Sequence, residues 1–152
     1  MIGSDENWAG SQVTADGNAA HQAITVRAAY VHGKGDGRRV TWTGMSADQF
    51  YLQDLAGRLD ARPFLETGTL TFEVVVAKRP TALVTLAARC HPPCRAPLNA
   101  TELFRQLPQS KQTTARIPLS CFASQGLDSS NVDVLFPVHT TSAFEATFAQ
   151  IH

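Results

Sequence analysis

Three kinds of residue here could do chemistry: five histidines, 13 carboxylates and three cysteines. Nucleophilic catalysis needs a Ser or Cys activated by a histidine that an acid orients. His21, His32, His91, His139 and His152 show no motif spacing, and no Gly-x-Ser-x-Gly elbow occurs. His139 lies in the apolar run Phe136 to Thr140, where a hydrogen-bonded structural histidine is expected. Glycoside hydrolysis needs two carboxyl groups facing across a cleft. Asp36, Asp48, Asp54, Glu66, Glu73 and Asp128 supply pairs only as any chain of this acidity does, so solvated surface groups are expected. The glycine-rich stretch around Lys34 is not a phosphate loop, because Gly35 follows the lysine where Ser or Thr is required.

Cys90 and Cys94 enclose His91-Pro92-Pro93, a tight turn. A short-loop disulfide in an oxidising compartment ranks first, two free thiols second and a metal site third. Zinc needs four ligands, and His91 is the only histidine nearby. Cys121, in the apolar run Ile117 to Phe122, reads as a buried free thiol. No cofactor is implied. Asp128 and Asp133 bracket a polar turn that offers oxygens to a structural calcium, but turn formation by their side chains is the stronger reading. Asn99-Ala100-Thr101 is a formal glycosylation sequon.

Sugar recognition needs none of this machinery. A sugar presents apolar C–H faces and a rim of hydroxyls, which aromatic rings and Asp, Asn, Gln or Arg side chains meet. Trp8, Tyr30, Trp42, Phe50 and Tyr51 are the candidate rings. Tyr30 and Trp42 fall in phase with apolar rows and are expected in the core. Phe50 and Tyr51 are adjacent, so they point to opposite faces of one strand. The candidate contact set is Tyr51 with Asp36, Arg38 and Arg39 at the glycine-rich segment.

These residues must be positioned by strands. Residues 1–20 lack periodicity and read as a linker or arm; a single domain is expected over 21–152. From Gln22 onward the apolar period is two. Ile24, Val26, Ala28 and Tyr30 form one row, and His32 to Gly37 reads as a hairpin loop before Val40 and Trp42. Phe50 and Leu52, then Leu70, Phe72, Val74 and Val76, form further rows. Pro80 ends the latter strand, and Leu83 to Ala88 forms another. Ala115, Ile117 and Leu119 follow, with Pro118 marking an edge or a bulge. Val134 to Thr140 and Ala143 to Ile151 are expected to pair as a hairpin, with Phe144, Ala146 and Phe148 pointing one way. One short helix is expected from Asn99, with Glu102 as capping residue and Pro108 as terminator; a second turn is expected near Phe122 to Gln125. Eight or nine strands with one or two short helices predict an all-β jelly-roll sandwich.

The bulk properties agree. A chain of 152 residues is one ordinary domain, and 17% charged residues argue against disorder. Thirteen basic against thirteen acidic residues give no electrostatic footprint for nucleic acid or an anionic membrane. No apolar run approaches the roughly 18 residues that a membrane-spanning helix needs. Met1 to Glu6 is polar and acidic, without the apolar stretch of a secretory leader; a mature form or a fragment reads the same way.

Several strings resemble a known family. Arg38-Arg39-Val40-Thr41-Trp42-Thr43-Gly44 is similar to its Trp-x-Gly element, and Leu70 to Val76 and Cys90-His91-Pro92-Pro93-Cys94 follow in the expected order. The most specific string is Ile117 to Asp128, which matches a Pro-Leu-x-Cys-Phe…Gly-x-Asp pattern. The family is the galactose-binding-like C-terminal domain of ExoP-type enzymes of glycoside hydrolase family 3. The resemblance covers about residues 20 to 152. It implies a β-sandwich accessory to the catalytic domains of a secreted or periplasmic β-glucosidase or exo-glucanase, with the catalytic acids on those other domains. It further implies β-glucan or an oligosaccharide as ligand, or a purely structural bracing role.

Overall fold

The computed structural model describes residues 2–3, 10–31, 33–53, 58–91 and 93–152. Trp8, His32, Asp54 and Pro92 lie outside the described residues. The strands are β1 Ile2–Gly3, β2 Gly10–Ser11, β3 Ala19–His21, β4 Ile24–Val31, β5 Lys34–Thr43 and β6 Asp48–Gln53. They continue with β7 Thr69–Lys78, β8 Val84–Cys90, β9 Arg95–Asn99, β10 Gln112–Pro118, β11 Val132–Thr140 and β12 Ala143–Ala149. Two short helices, α1 Thr101–Gln106 and α2 Leu119–Ala123, and a 3-10 turn at Arg62–Phe64 complete the elements. Sheet I runs in the order β2-β1-β6-β11-β8-β9 and sheet II in the order β10-β7-β12-β5-β4-β3. All named pairings are antiparallel, and the architecture is a jelly-roll sandwich.

Each strand lays alternate apolar residues on the other sheet. Phe50, Leu86 and Val138 of sheet I meet Trp42, Phe72, Val74, Phe144 and Phe148 of sheet II in one buried cluster. Phe148 is its hub. Its ring stacks on Phe50 at 5.9 Å and meets Phe136 edge-on at 5.2 Å, Phe72 at 6.1 Å and Phe104 at 6.2 Å. Such pairs each contribute about 0.5–1.5 kcal/mol beyond area burial. Helix α1 closes one end of the core with Phe104, while Thr101 Oγ1 accepts the Val84 N–H at 3.0 Å. Ala100, not Asn99, is the N-cap; the Asn99 side chain accepts the Thr101 N–H at 3.0 Å, and Glu102 pairs with Arg105 at 3.1 Å.

Several sequence expectations change. Tyr30 is 83% exposed, not core, because the β4–β5 register shifts between Ala29 and Val31 and Val31 takes the buried place. The expected loop at 32–37 is largely strand: β5 already begins at Lys34, so Gly35 and Gly37 lie within it. Gly37 is required there, since an added Cβ would come within 2.7 Å of the Val31 side chain. Strands β11 and β12 do not form a hairpin. They belong to different sheets, and the chain crosses the sandwich between them. Ser142 fixes that crossing: its Oγ accepts the Thr81 and Ala82 N–H groups at 2.8 and 3.2 Å, and its own N–H donates to Thr140 Oγ1 at 2.9 Å. In the stretch read as an arm, Ile2 is fully buried opposite Phe50, and β3 extends sheet II. Strand β10 is an edge strand, as Pro118 indicated. Cys121 is free but half-buried, because Phe122 takes the inward position on α2.

Candidate functional site

The four residues expected to contact a ligand do not converge. Tyr51 lies on the outer face of sheet I and Arg39 on the outer face of sheet II. Arg38 shares the inner phase of Val40, half-buried, and its Nη1 donates to the Gly37 carbonyl at 2.9 Å. Asp36 is exposed near the start of β5.

Each sheet instead carries its own polar row across its outer face. On sheet I the row is Gln49 of β6, His139 of β11, Thr85 of β8 and Asn99 of β9, set side by side by strand register. Four strands span about 14 Å at the usual strand spacing. At the β6 end of this row Gln49 is fully buried, and farther along the same face Tyr51 is 1% exposed and Arg89 is 5% exposed. Arg89 Nη2 donates to Gln49 Oε1 at 3.0 Å. Burial pushes the Tyr51 phenol above its usual range, against a smaller opposing pull from the Arg89 charge. His139 and Thr85 are half-buried, and Asn99 is exposed at the β9 edge.

The backbone beside this face is unusual. Phe136 adopts φ 62°, where β11 shifts register against both neighbours between residues 134 and 138. A left-handed conformation costs a non-glycine residue about 1–2 kcal/mol. Here it turns the Phe136 ring inward onto Phe72 at 4.7 Å. Bulges re-aim side chains in this way, and this one sets His139 back in phase with Gln49 and Thr85.

The Cys90–Cys94 disulfide is formed, with Cα atoms 5.1 Å apart. It clasps the β8–β9 hairpin just beyond the Arg89–Arg95 pair, so it holds that end of the sheet I face. Asp128 forms a turn as expected: its Oδ1 accepts the Ser130 N–H at 3.0 Å and the Ser130 hydroxyl at 2.6 Å. These bonds, with contributions from Asn131 and the Arg62 charge, lower the Asp128 pKa.

A family model for the ExoP C-terminal domain, described as galactose-binding domain-like, matches residues 1–152. The chain belongs to this family.

Solved structures agree on the fold of this galactose-binding-like domain. The exo-1,3/1,4-β-glucanase ExoP from a Pseudoalteromonas species superposes over 89% of this chain with a TM-score of 0.73 and 16% identity. This chain spans only 16% of that enzyme's length. The isolated extra C-terminal domain of the same enzyme matches 90% of this chain and 74% of its own, with a TM-score of 0.67 and 17% identity. The family 30 carbohydrate-binding module of a cellulosomal cellulase from Clostridium thermocellum covers 90% of this chain and 84% of its own, with a TM-score of 0.65 and 15% identity. No curated protein matches the chain in sequence.

The sheet I row escaped the sequence reading for a physical reason. Gln49, His139, Thr85 and Asn99 are far apart along the chain, and only strand order brings them together. The one available signal was their phase opposite Phe50, Val138 and Leu86.

Proposed function

We propose that this domain is a non-catalytic accessory module that binds a neutral β-glucan chain across the outer face of sheet I. The observation that carries this reading is the accessible cross-strand row His139–Thr85–Asn99, continued under cover by buried Gln49. Amide, imidazole and hydroxyl groups both donate and accept, as a rim of sugar hydroxyls demands. Arg89 Nη2 holds the buried Gln49 side chain in place at the β6 end of the row. Tyr51 is buried too deeply to act as a stacking platform. The resemblance to a β-glucanase domain and to a carbohydrate-binding module supports the ligand class. The domain's partners are the catalytic domains of a secreted or periplasmic β-glucan-cleaving glycoside hydrolase, and the disulfide supports an oxidising compartment.

Calorimetric titration with laminarin, mixed-linkage β-glucan and cello-oligosaccharides tests the reading. Binding is expected to fall about tenfold in His139→Ala or Thr85→Ala, the loss of roughly one good hydrogen bond to the ligand. Unchanged affinity in both variants would remove the site. A flat response to every sugar would leave the second reading, a structural brace without sugar affinity. The exposed apolar side chains of Leu59 and Phe64 favour that reading as a surface for a neighbouring domain. Deleting the domain from its parent enzyme would then reduce solubility and leave sugar binding intact.

A further inference from the structure

The outer face of sheet II carries a second row, and its chemistry is different. Register places Arg27 of β4 opposite Arg39 of β5, Arg39 opposite Thr147 of β12, Thr147 opposite Val75 of β7, and Val75 opposite Gln112 of β10. These side chains line an open depression of about 380 Å³, within the size range of small-ligand sites. Tyr30 forms one wall. Its ring lies against Gly35, where an added Cβ would sit 3.6 Å from the ring carbon Cε1. The rest of the ring faces solvent, which accounts for its 83% exposure.

Two arginines directly opposite each other on neighbouring strands repel, and such pairs destabilise a sheet. The carboxylates of this face compensate only in part. Glu145 approaches Arg39 Nε at 3.8 Å. Glu73 Oε1 and Oε2 accept from Thr114 and Gln112 at 2.6 and 2.9 Å, which occupies that acid away from the arginines. Arg27 makes no ion pair among the described residues and is exposed. The face therefore holds an unneutralised guanidinium beside an open aromatic ring, at a cost to the fold.

We infer that this depression binds an anionic saccharide, a chain of hexuronate units. A guanidinium fork matches a carboxylate in two parallel hydrogen bonds. The tyrosine ring supplies the apolar platform for the C–H face of a pyranose. Thr147, next to Arg39 on β12, adds a hydroxyl-bearing residue to the lining. Register puts Arg27, Arg39, Arg116 and Lys78 on this face with Glu73 and Glu145, a scatter of mixed charge and not the broad basic stripe of a nucleic-acid footprint. The inference is independent of the sheet I reading, because the two rows lie on opposite outer faces of the sandwich.

Titration of the full chain with tri-galacturonate, cellotriose and dextran sulfate tests it. Tri-galacturonate is expected to bind at least about tenfold tighter than cellotriose, the worth of one charge-assisted bidentate contact. Tyr30→Ala and Arg27→Thr should each weaken it about tenfold or more, Tyr30→Phe should retain it, and His139→Ala should leave it unchanged. Arg27→Thr should also raise Tm by about 2 °C, since it relieves the facing pair. Equal weak binding of tri-galacturonate and cellotriose would overturn the inference. So would dextran sulfate binding as tightly as tri-galacturonate with no dependence on Tyr30, which marks adsorption of any polyanion. A loss in His139→Ala would place the ligand on sheet I, and a lower Tm in Arg27→Thr would show that the arginine serves the fold.

Discussion

The two outer faces of the sandwich use the same geometry for opposite ends. Both present a polar row set by antiparallel register, and both rest on the same core around Phe148. On sheet I the row ends in buried Gln49, bonded to buried Arg89 beside buried Tyr51, and the face is clasped at one end by a disulfide. On sheet II the row is exposed at Arg27, Arg39 and Tyr30, and its charges are only partly matched. The first face is therefore part of what stabilises the fold, whereas the second is carried by it. A substitution in the buried Gln49–Arg89 pair should register as lost stability, and one at exposed Tyr30 as lost binding.

The largest expected effect tests the first half of that contrast. Arg89→Met removes the donor to Gln49 Oε1 at a buried position and should cost about 2–3 kcal/mol. Denaturant unfolding would show a lower midpoint with an unchanged slope. A change below about 0.5 kcal/mol, the scale of ordinary surface substitutions, would make the two faces alike.

Next is the clasp. Opening the Cys90–Cys94 loop, by Cys90→Ala with Cys94→Ala, should cost roughly 2 kcal/mol from the freed unfolded chain. The loss should be local. Because the bridge ends the β8–β9 hairpin, glucan binding at sheet I should weaken, while tri-galacturonate binding at sheet II should not. Equal losses on both faces would dissolve the distinction.

The smallest effect concerns protonation. Burial raises the Tyr51 pKa above the ordinary tyrosine value of 10.0. The folded state thus holds the phenol proton more tightly than the unfolded chain does. Its contribution to stability is complete below pH about 10 and is lost as pH rises through the higher folded value. Tyr51→Phe should flatten the fall in the unfolding midpoint between about pH 9 and 11. An ultraviolet titration in which Tyr51 ionises at or below the unfolded tyrosine value would remove this effect and the burial it implies.

Much of this architecture could be read along the chain. The rows Leu70 to Val76 and Phe144 to Phe148 point inward as their period of two requires, and Trp42 packs on Phe144 at 5.2 Å. Pro118 stands at the end of an edge strand, where its missing N–H leaves no gap in the ladder. The Tyr30 misreading arises where one residue too many enters a strand. The register shift at Ala29–Val31 moves Tyr30 out of the core. Alternation counts residues faithfully only while the ladder is regular, so a bulge inverts every inference downstream of it.

By itself the sequence determined the inward rows, the fold class, the short disulfide loop and the family, because each depends on local period or on a contiguous string of residues. Only the tertiary structure decided which outward residues meet. Tyr51, Asp36, Arg38 and Arg39 scatter over different surfaces, while Gln49, His139, Thr85 and Asn99 share a row. The physical reason is that period two assigns a side chain to a face of its own strand and says nothing about the strand beside it. Neighbours are chosen by sheet order and register, and these come from how two sheets bury one common core.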